Sequence, residues 1–426
     1  MRPMPLIALC VALAAILCVP AFAQQTGTDD EGFWAGYWRY IQRRADELMA
    51  MEDQLWGVQS LVNPKGVFSV KLIVNCKRAD SKYRDDGTCG PVIDPISFPD
   101  PLGTGDDFMT LKIKVKGRGC GWLFRMFYGI SDPLDVFINI HTQTQELWMD
   151  LDFEPGTSSM MGIRTEEDLY ELLELLGRPR PKTYYRSESL ELGDIDIGVL
   201  YNYFRNDYIS AMVKPRIIFP TGKLADPNSA LIFALGPEID IGKGSFGLGL
   251  THNLDLRPPK PAQWLIFALQ INYIYYLRGR HPAPTFQPPD PTAEGLLDSV
   301  GFESDYFPDL SDIGDYYYVT PGNYIEAVAN LVFSGSFFAF GLGYGYMYQQ
   351  KPIVETSSAE FKRMMELFNS YAEQEAHGIS VIAAFRLFHF MIPAILNLEA
   401  RYPVGGRNYF KFEDDYKLDF QVFLPL

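Results

Sequence analysis

Apolar and polar residues alternate with a period of two over many stretches of this chain. Between Met109 and Lys116 the odd positions are apolar, and the even positions are threonine or lysine. The segments Ile392–Tyr402 and Tyr416–Leu424 divide in the same way. Because successive side chains of a strand point to opposite faces, this pattern predicts strands with one apolar and one water-facing side.

Fourteen segments have the strand pattern. They are residues 67–76, 109–116, 120–130, 134–152, 194–204, 208–219, 230–241, 246–256, 264–277, 324–333, 336–349, 379–388, 392–402 and 416–424. Short turns alternate with longer connections between them, which is typical of a barrel with its short turns in the periplasm. Residues 117–119 and 131–133 are consecutive short turns, so either one strand is miscounted or one long loop is periplasmic.

Three segments have helical spacing instead. The first, residues 34–48, places two tryptophans and three aliphatic residues on one stripe ahead of all strands. The second starts at Thr165 and Asp168 with a capping-box pattern and stops at Gly177, and the third begins at Ser357. The fold class that we predict is all-β: a transmembrane antiparallel β-barrel of about 12–14 strands, with an N-terminal helical segment and two short loop helices.

The strand pattern is most extreme from Ser336 to Gln349. Aromatic residues and leucine on one face alternate with alanine and glycine on the other, which predicts a crowded barrel interior. The sequence GLGYG lies within this strand and does not open a helix, so we do not predict a nucleotide-binding loop.

The N-terminus has the pattern of a secretory signal peptide. Arg2 precedes an apolar run, and Ala21 and Ala23 are the small residues expected before a cleavage site after Ala23. No later stretch is long and apolar enough for a membrane-spanning helix. We therefore divide the chain into a signal peptide (1–23), an N-terminal helical segment (24–63) and an outer-membrane barrel (64–426), located in the outer membrane of a Gram-negative bacterium.

Charge and cysteine content narrow the picture further. The net charge of −16 argues against a nucleic-acid partner, because phosphate binding relies on clustered lysine and arginine. Three cysteines remain after the signal peptide, in an oxidising compartment. A disulfide between Cys76 and Cys89 would close a short, comfortable loop, and three free thiols are the alternative.

Three segments carry a family resemblance: YGISDPLDVFI (Tyr128–Ile138), GDIDIGVLYNYF (Gly193–Phe204) and RIIFPTGK (Arg216–Lys223). They resemble the outer-membrane transporter family associated with phenol meta-pathway degradation, over about Gly121 to Asn408. That family is in turn similar to the long-chain fatty-acid transporter barrels. The resemblance implies uptake of hydrophobic compounds through a roughly fourteen-stranded barrel, with residues 24–63 as its plug.

We predict a channel for small hydrophobic or aromatic compounds that works by passive diffusion. Two alternatives stay open: a general diffusion porin, and a non-transporting surface barrel that binds a partner through its long loops. The expected partners are outer-membrane lipid, the barrel-assembly machinery and the small hydrophobic cargo. We expect no enzyme activity, cofactor or metal, because the five histidines lack metal spacing and no positioned nucleophile is apparent.

The predicted lumen lining consists of charged residues that alternate with apolar ones. They are Lys112, Lys114, Lys116, Asp194, Asp196, Lys214, Arg216, Glu399 and Arg401. Charges that deep in a strand must face an aqueous or paired interior. Pro215 lies within the same strand as Lys214 and Arg216, and it marks either a strand irregularity that opens a route or a tolerated kink.

Overall fold

The structure is a computed structural model that describes residues 62–99, 107–155, 165–175, 180, 182–229, 238–284, 313–367, 372–387 and 394–425. The described elements are β1 (Val67–Tyr83), β2 (Cys89–Pro91), β3 (Ile96–Pro99), β4 (Asp107–Ser131), β5 (Leu134–Pro155), α1 (Glu166–Leu175), β6 (Tyr184–Arg186), β7 (Glu191–Arg205), β8 (Ile209–Phe219), β9 (Gly247–Leu256), β10 (Leu265–Tyr276), β11 (Gly279–Pro282), β12 (Tyr316–Thr320), β13 (Tyr324–Ser334), β14 (Phe338–Gln349), β15 (Ile353–Glu355), α2 (Ala359–Leu367), β16 (Gln374–Arg386), β17 (Ala394–Arg407) and β18 (Tyr409–Pro425).

Twelve antiparallel strands form a closed barrel. The order around the wall is β1, β4, β5, β7, β8, β9, β10, β13, β14, β16, β17 and β18. Pairing of β1 with both β18 and β4 closes the sheet, for example through Phe68 opposite Leu424 and opposite Tyr128. Closure leaves no unpaired edge in the wall, which a sheet in lipid requires.

The strand count confirms the lower end of the predicted range. Two corrections reduce the fourteen predicted segments to twelve wall strands. Residues 109–116 and 120–130 belong to the single strand β4, because Gly117 and Gly119 continue the ladder with β5 and do not turn. The predicted strand 230–241 is not a barrel strand in its described part, 238–241, and the remainder lies outside the described residues.

With β4 undivided, connections alternate regularly between the two ends of the barrel. Short connections join strands at one end, here called the short-turn end: residues 132–133, 206–208, 257–264, 335–337 and 387–393. The opposite, long-loop end carries the connections 84–106, 156–190, 220–246, 277–323 and 350–373. At that end β17 and β18 are joined at Asn408, whose φ of 51° is in the left-handed region that asparagine tolerates.

The outward face of the wall is apolar. Leu250, Leu342 and Tyr201 are about half exposed although each lies within a strand, and they have many similar neighbours. Aromatic residues are frequent near the short-turn end, where the rings of Trp264 and Phe333 stack 5.7 Å apart. Lipid can cover such a band, and aromatic residues suit its borders with water.

The inward face of β14 is crowded, in agreement with its glycine pattern. A Cβ added at Gly343 would lie 2.2 Å from Asn330 Oδ1 and 2.4 Å from Ser380 Oγ. Neighbouring strands therefore place two polar side chains over Gly343, and a larger residue at this position would displace them.

Both predicted loop helices are present. In α1, Thr165 and Asp168 bond reciprocally, with Asp168 N–H donating to Thr165 Oγ1 at 3.2 Å and Thr165 N–H to Asp168 Oδ2 at 2.8 Å. The helix α2 is capped by Ser358, whose Oγ accepts from the N–H of Phe361 at 3.1 Å. The predicted helix at residues 34–48 lies outside the described residues, as does the signal peptide. Neither described helix has the length and apolar character needed to cross a membrane.

The disulfide prediction is wrong in its partner. Cys76 is bonded to Cys120, and Cys89 is a free, exposed cysteine. The consecutive wall strands β1 and β4 pair in a register that sets Cys76 directly opposite Cys120, with their Cα atoms 4.1 Å apart. Loop length along the chain contains no information about this cross-strand register, so sequence spacing favoured the wrong cysteine.

The β4–β5 hairpin continues well past the barrel at the long-loop end. Toward the long-loop end, the pairing of β4 with β1 stops at Gly117, which lies opposite Ala79. The pairing of β4 with β5 continues beyond that point, as far as Met109 opposite Pro155. We call residues 107–116 and 147–155 the protruding hairpin. The short strands β3 and β6 pair with its two sides.

Candidate functional site: the barrel lumen

Inward-facing side chains from all twelve barrel strands line one cavity of about 790 Å³. Alternation selects them: in β10, Gln270, Asn272 and Ile274 face the cavity, whereas Ile271 and Tyr273 are exposed on the outer surface. The volume is in the range that commonly accommodates one small molecule.

The short-turn end of the lumen is apolar and contains chain that precedes β1. Val62, which is 2% exposed, belongs to a buried cluster with Phe127, Phe137, Leu200 and Met212. Across the barrel, Ile266, Val332 and Ala339 form a second buried cluster. The lumen therefore narrows here between hydrophobic walls.

Polar contacts hold the residue after Val62 in place. The backbone N–H of Asn63 donates to Asp135 Oδ2 at 2.8 Å, and its side-chain Nδ2 donates to Ser69 Oγ at 3.0 Å. Both acceptors are inward-facing residues of the wall and are almost fully buried. The chain thus reaches β1 from inside the lumen.

Ion pairs form a belt around the middle of the lumen. Lys71 Nζ lies 2.6 Å from Asp419 Oδ2, between β1 and β18. Glu399 binds two cations, with Lys417 Nζ at 2.9 Å and Arg401 Nε at 2.7 Å. Such pairs offset the cost of withdrawing charges from bulk water when their geometry is good.

On the opposite side of the belt, Arg216 is the central residue. Its Nη1 donates to Thr251 Oγ1 at 3.3 Å and its Nη2 to Asn272 Oδ1 at 3.0 Å. Asp196 Oδ2 lies 3.8 Å from Arg216 Nε and 3.7 Å from His141 Nε2. Five neighbouring strands, from β5 to β10 around the wall, are connected through these contacts.

No protein-family model and no curated protein sequence matches this chain. Among solved structures, an outer-membrane channel from Pseudomonas putida F1 is similar, with a TM-score of 0.52 at 9% sequence identity. The match covers 86% of this chain and 99% of that one. At this identity the similarity shows the fold. The chain has the fold of an outer-membrane β-barrel.

Two further structures are more distant from this outer-membrane barrel. The CymD monoaromatic hydrocarbon channel has a TM-score of 0.31 at 8% identity, over 85% of this chain and 88% of its own. A deletion mutant of the TodX monoaromatic hydrocarbon channel has a TM-score of 0.34 at 10% identity, over 85% and 91%. Both TM-scores are too low for a residue-level comparison, and the family resemblance found in the sequence stays a prediction.

Six of the nine residues predicted to line the lumen border the cavity. They are Asp194, Asp196, Lys214, Arg216, Glu399 and Arg401. Asp194 differs from the rest because backbone groups hold its carboxylate: Gly222 N–H donates to it at 2.9 Å and Lys243 N–H at 2.8 Å. Both donors belong to the 220–246 loop, so Asp194 anchors that loop to the wall.

The remaining three predicted residues require a correction. Lys112, Lys114 and Lys116 lie on the protruding hairpin, and none of them borders the cavity. Lys112 is ion-paired with Glu154, and Lys114 Nζ lies 3.4 Å from Asp152 Oδ2. These lysines are on the continuation of the outer face, because the inward positions of β4 are the odd ones, such as Arg125. Beyond the membrane, the outer face meets water and is charged.

Four further charged residues border the lumen and were not predicted from the sequence: Lys71, Arg125, Lys417 and Asp419. Each is flanked on both sides by apolar or aromatic residues within a strand, which is the same signal that selected Glu399 and Arg401. Applied to every strand, that signal would have found all four.

The long-loop end carries a folded cap. β11, β12 and β15 form a separate three-stranded sheet, and its apolar core includes Tyr317 and the fully buried Phe361, Met364 and Met365 of the second helix.

The exposed cation Lys223 ties the 220–246 loop to the wall. Lys223 Nζ lies 2.6 Å from Glu191 and 3.1 Å from Glu238. Burial acts to lower the pKa of Lys223, but its hydrogen bonds to Glu191, Tyr185 and Glu238 prevail and raise it above the usual value. The ammonium therefore stays charged, which keeps this link intact.

Proposed function

We propose that this outer-membrane barrel is a passive channel for small hydrophobic or aromatic compounds. The observation that carries the proposal is the cavity of about 790 Å³ that all twelve strands border, with apolar walls at its short-turn end. A lumen of this kind offers a small apolar solute a path that an outer leaflet of charged lipid does not. Outer-membrane lipid and the barrel-assembly machinery remain its expected partners, as for any barrel delivered to that membrane.

The position of Val62 and Asn63 favours this channel over an open diffusion porin. Both residues occupy the lumen at the short-turn end and are almost fully buried there. A general porin requires an unobstructed aqueous passage, and these residues narrow it. They belong to the segment 24–63 for which we predict a plug role.

The wall also has an irregularity at Pro215. Between the pairs Gly198–Arg216 and Tyr201–Val213, the β7–β8 ladder lacks its intervening pairs. Proline has no N–H to donate to the ladder. We regard this gap as the candidate side exit for apolar cargo.

Single-channel conductance in a planar bilayer tests the channel against the porin. The mature protein is measured beside a version that lacks residues 24–56. We expect low conductance from the mature protein and a marked rise after the deletion, because the plug segment is removed. Large, steady conductance from both would favour the porin and contradict the plug.

A matched pair of substitutions in β10 tests whether cargo passes through the lumen. Gln270→Trp adds bulk inside the cavity, and Ile271→Trp adds the same bulk on the lipid-facing side of the next residue. The readout is the initial rate at which N-phenylnaphthylamine reaches the inner membrane of intact cells. We expect expression of the barrel to raise this rate, Gln270→Trp to abolish most of the gain, and Ile271→Trp to preserve it.

The same cells can test the alternative role, a surface barrel that binds a partner through its long loops. Replacing residues 278–315 with a short linker should leave dye uptake unchanged or raise it if the barrel is a channel. Loss of cell adhesion or of partner binding with unchanged uptake would support the surface-binding role instead.

A further inference from the structure

One cation in the lumen lacks an ion-pair partner among the residues that the structure describes. Lys214 borders the cavity and is 7% exposed. Within the described part of the chain it forms no hydrogen bond and no ion pair, and its ammonium lies 4.3 Å above the ring centroid of Phe137. A buried charge without such partners is costly, so proteins generally supply it with one.

Arg125 is the second such cation. It borders the same cavity from β4, and the described residues give it neither a hydrogen bond nor an ion pair. Its Nε atom is buried without a partner. Guanidinium groups bind carboxylates with paired N–H donors, a geometry that few other side chains offer.

No carboxylate among the described residues forms an ion pair with Lys214 or Arg125, although Asp196, Asp419 and Glu326 attract Arg125 from a longer distance. Arg125, Arg216 and Lys71 act on Lys214 as repelling cations, and Asp196 is the one anion among its main electrostatic neighbours. Asp196 already lies beside Arg216 and His141, and Asp419 is paired with Lys71. The anions nearest to Lys214 and Arg125 are therefore beside other cations or beyond ion-pair distance.

An apolar surface adjoins the cations on the short-turn side. Phe137, over which the Lys214 ammonium lies, packs in one cluster with Phe127, Leu200 and Met212, and the two phenylalanine rings are 6.0 Å apart. A ligand placed here would meet two positive donors at one end and aromatic and aliphatic carbon at the other.

We propose that the lumen contains a binding site for small aromatic carboxylates. The carboxylate binds between Lys214 and Arg125, and the ring lies against the Phe137 cluster. The proposal rests on the channel function, since it names the class of cargo that the channel selects. Asp135, a further carboxylate bordering the cavity, is bound by the backbone N–H of Asn63 and does not occupy the site.

Calorimetric titration of the detergent-purified mature protein tests this directly at neutral pH, with benzoate and its neutral isostere benzamide as probes. A charge-assisted contact to a carboxylate supports roughly 10- to 100-fold tighter binding of benzoate than of benzamide. Lys214→Met should remove most of that preference and leave benzamide binding unchanged, and Arg125→Gln should do the same. The matched control is Lys114→Met on the protruding hairpin, which should bind benzoate like the unaltered protein.

Equal binding of the two probes by the unaltered protein, or an unchanged benzoate affinity in both lumen variants, would overturn the proposal. The native-protein comparison does not depend on any variant folding correctly. Failure of the channel function gives a different result: benzoate binding that depends on Lys214, together with no conductance and no dye uptake, would leave a carboxylate site in a barrel that transports nothing.

Discussion

The two halves of the β4–β5 hairpin have opposite polarity. In the half that belongs to the barrel wall, the outward positions of β4 include Phe124 and Met126, and inward Arg125 borders the lumen. In the protruding half, most of the outward positions carry charged side chains, and the inward positions are buried apolar residues. The outward set comprises Lys112, Lys114, Lys116, Asp150, Asp152 and Glu154, and the inward set comprises Leu111, Ile113, Val115, Leu147, Met149 and Leu151.

This reversal occurs without any break in the strands. Alternation fixes only that neighbouring residues lie on different faces, and the medium on each side decides which face is apolar. Within the wall, lipid lies outside and a polar lumen lies inside. Past Gly117, water replaces lipid outside and the inward side chains are buried, so the pattern inverts.

The disulfide at the boundary between the two halves should give the largest effect. Replacing both Cys76 and Cys120 with serine removes a cross-link between residues separated by 44 positions. The chain-entropy model puts its contribution at about 4 kcal/mol of unfolding free energy. Urea unfolding in lipid vesicles measures the loss.

Cys89→Ser is the matched control for the disulfide, since Cys89 is free and exposed. It should leave the unfolding midpoint unchanged. Destabilisation by Cys89→Ser, with Cys120 open to alkylation, would restore the 76–89 pairing that the sequence suggested.

An intermediate effect should follow from a charge on the outer face of the wall. Phe124→Arg places a guanidinium toward lipid near the middle of the membrane part of β4, at a cost of about 3 kcal/mol. Its control, Lys114→Met, lies on the same face of the same strand in the protruding half, where the change should stay within about 0.5 kcal/mol. The same vesicle unfolding assay serves both. Similar costs for the two would contradict the assignment of lipid to one half and water to the other.

The smallest effect concerns the inner face of the protruding half. Ile113 is 2% exposed, and Ile113→Val should cost about 1 kcal/mol because a buried methyl group leaves a small void. Hydrogen exchange of amides 107–116 and 147–155 reports the local opening free energy. Ile217→Val, on the lipid-facing side of β8, should cost less because lipid can fill the space. An effect at Ile217 as large as at Ile113 would show that the inner face is not packed.

Much of the lumen was accessible to sequence reasoning, and the exceptions have a common cause. Asp196, Arg216, Glu399 and Arg401 were identified because ionisable residues interrupt apolar strands, and the structure brings them to one cavity. The same rule selected Lys112 wrongly, because it assumes that the strand is in lipid. Which part of a strand crosses the membrane depends on where its neighbours end, and β1 stops pairing with β4 at Ala79.

The sequence by itself determined the class of fold, because a period of two with bulky apolar residues on one face leaves few arrangements besides a closed sheet in lipid. It also determined both loop helices, since capping pairs such as Thr165 and Asp168 act between near neighbours in the chain. Only the tertiary structure decided that Cys120 is the partner of Cys76, that twelve strands close the wall, and that Lys214 and Arg125 share one sector of the lumen. Those features depend on the pairing and register between strands, which local alternation does not encode.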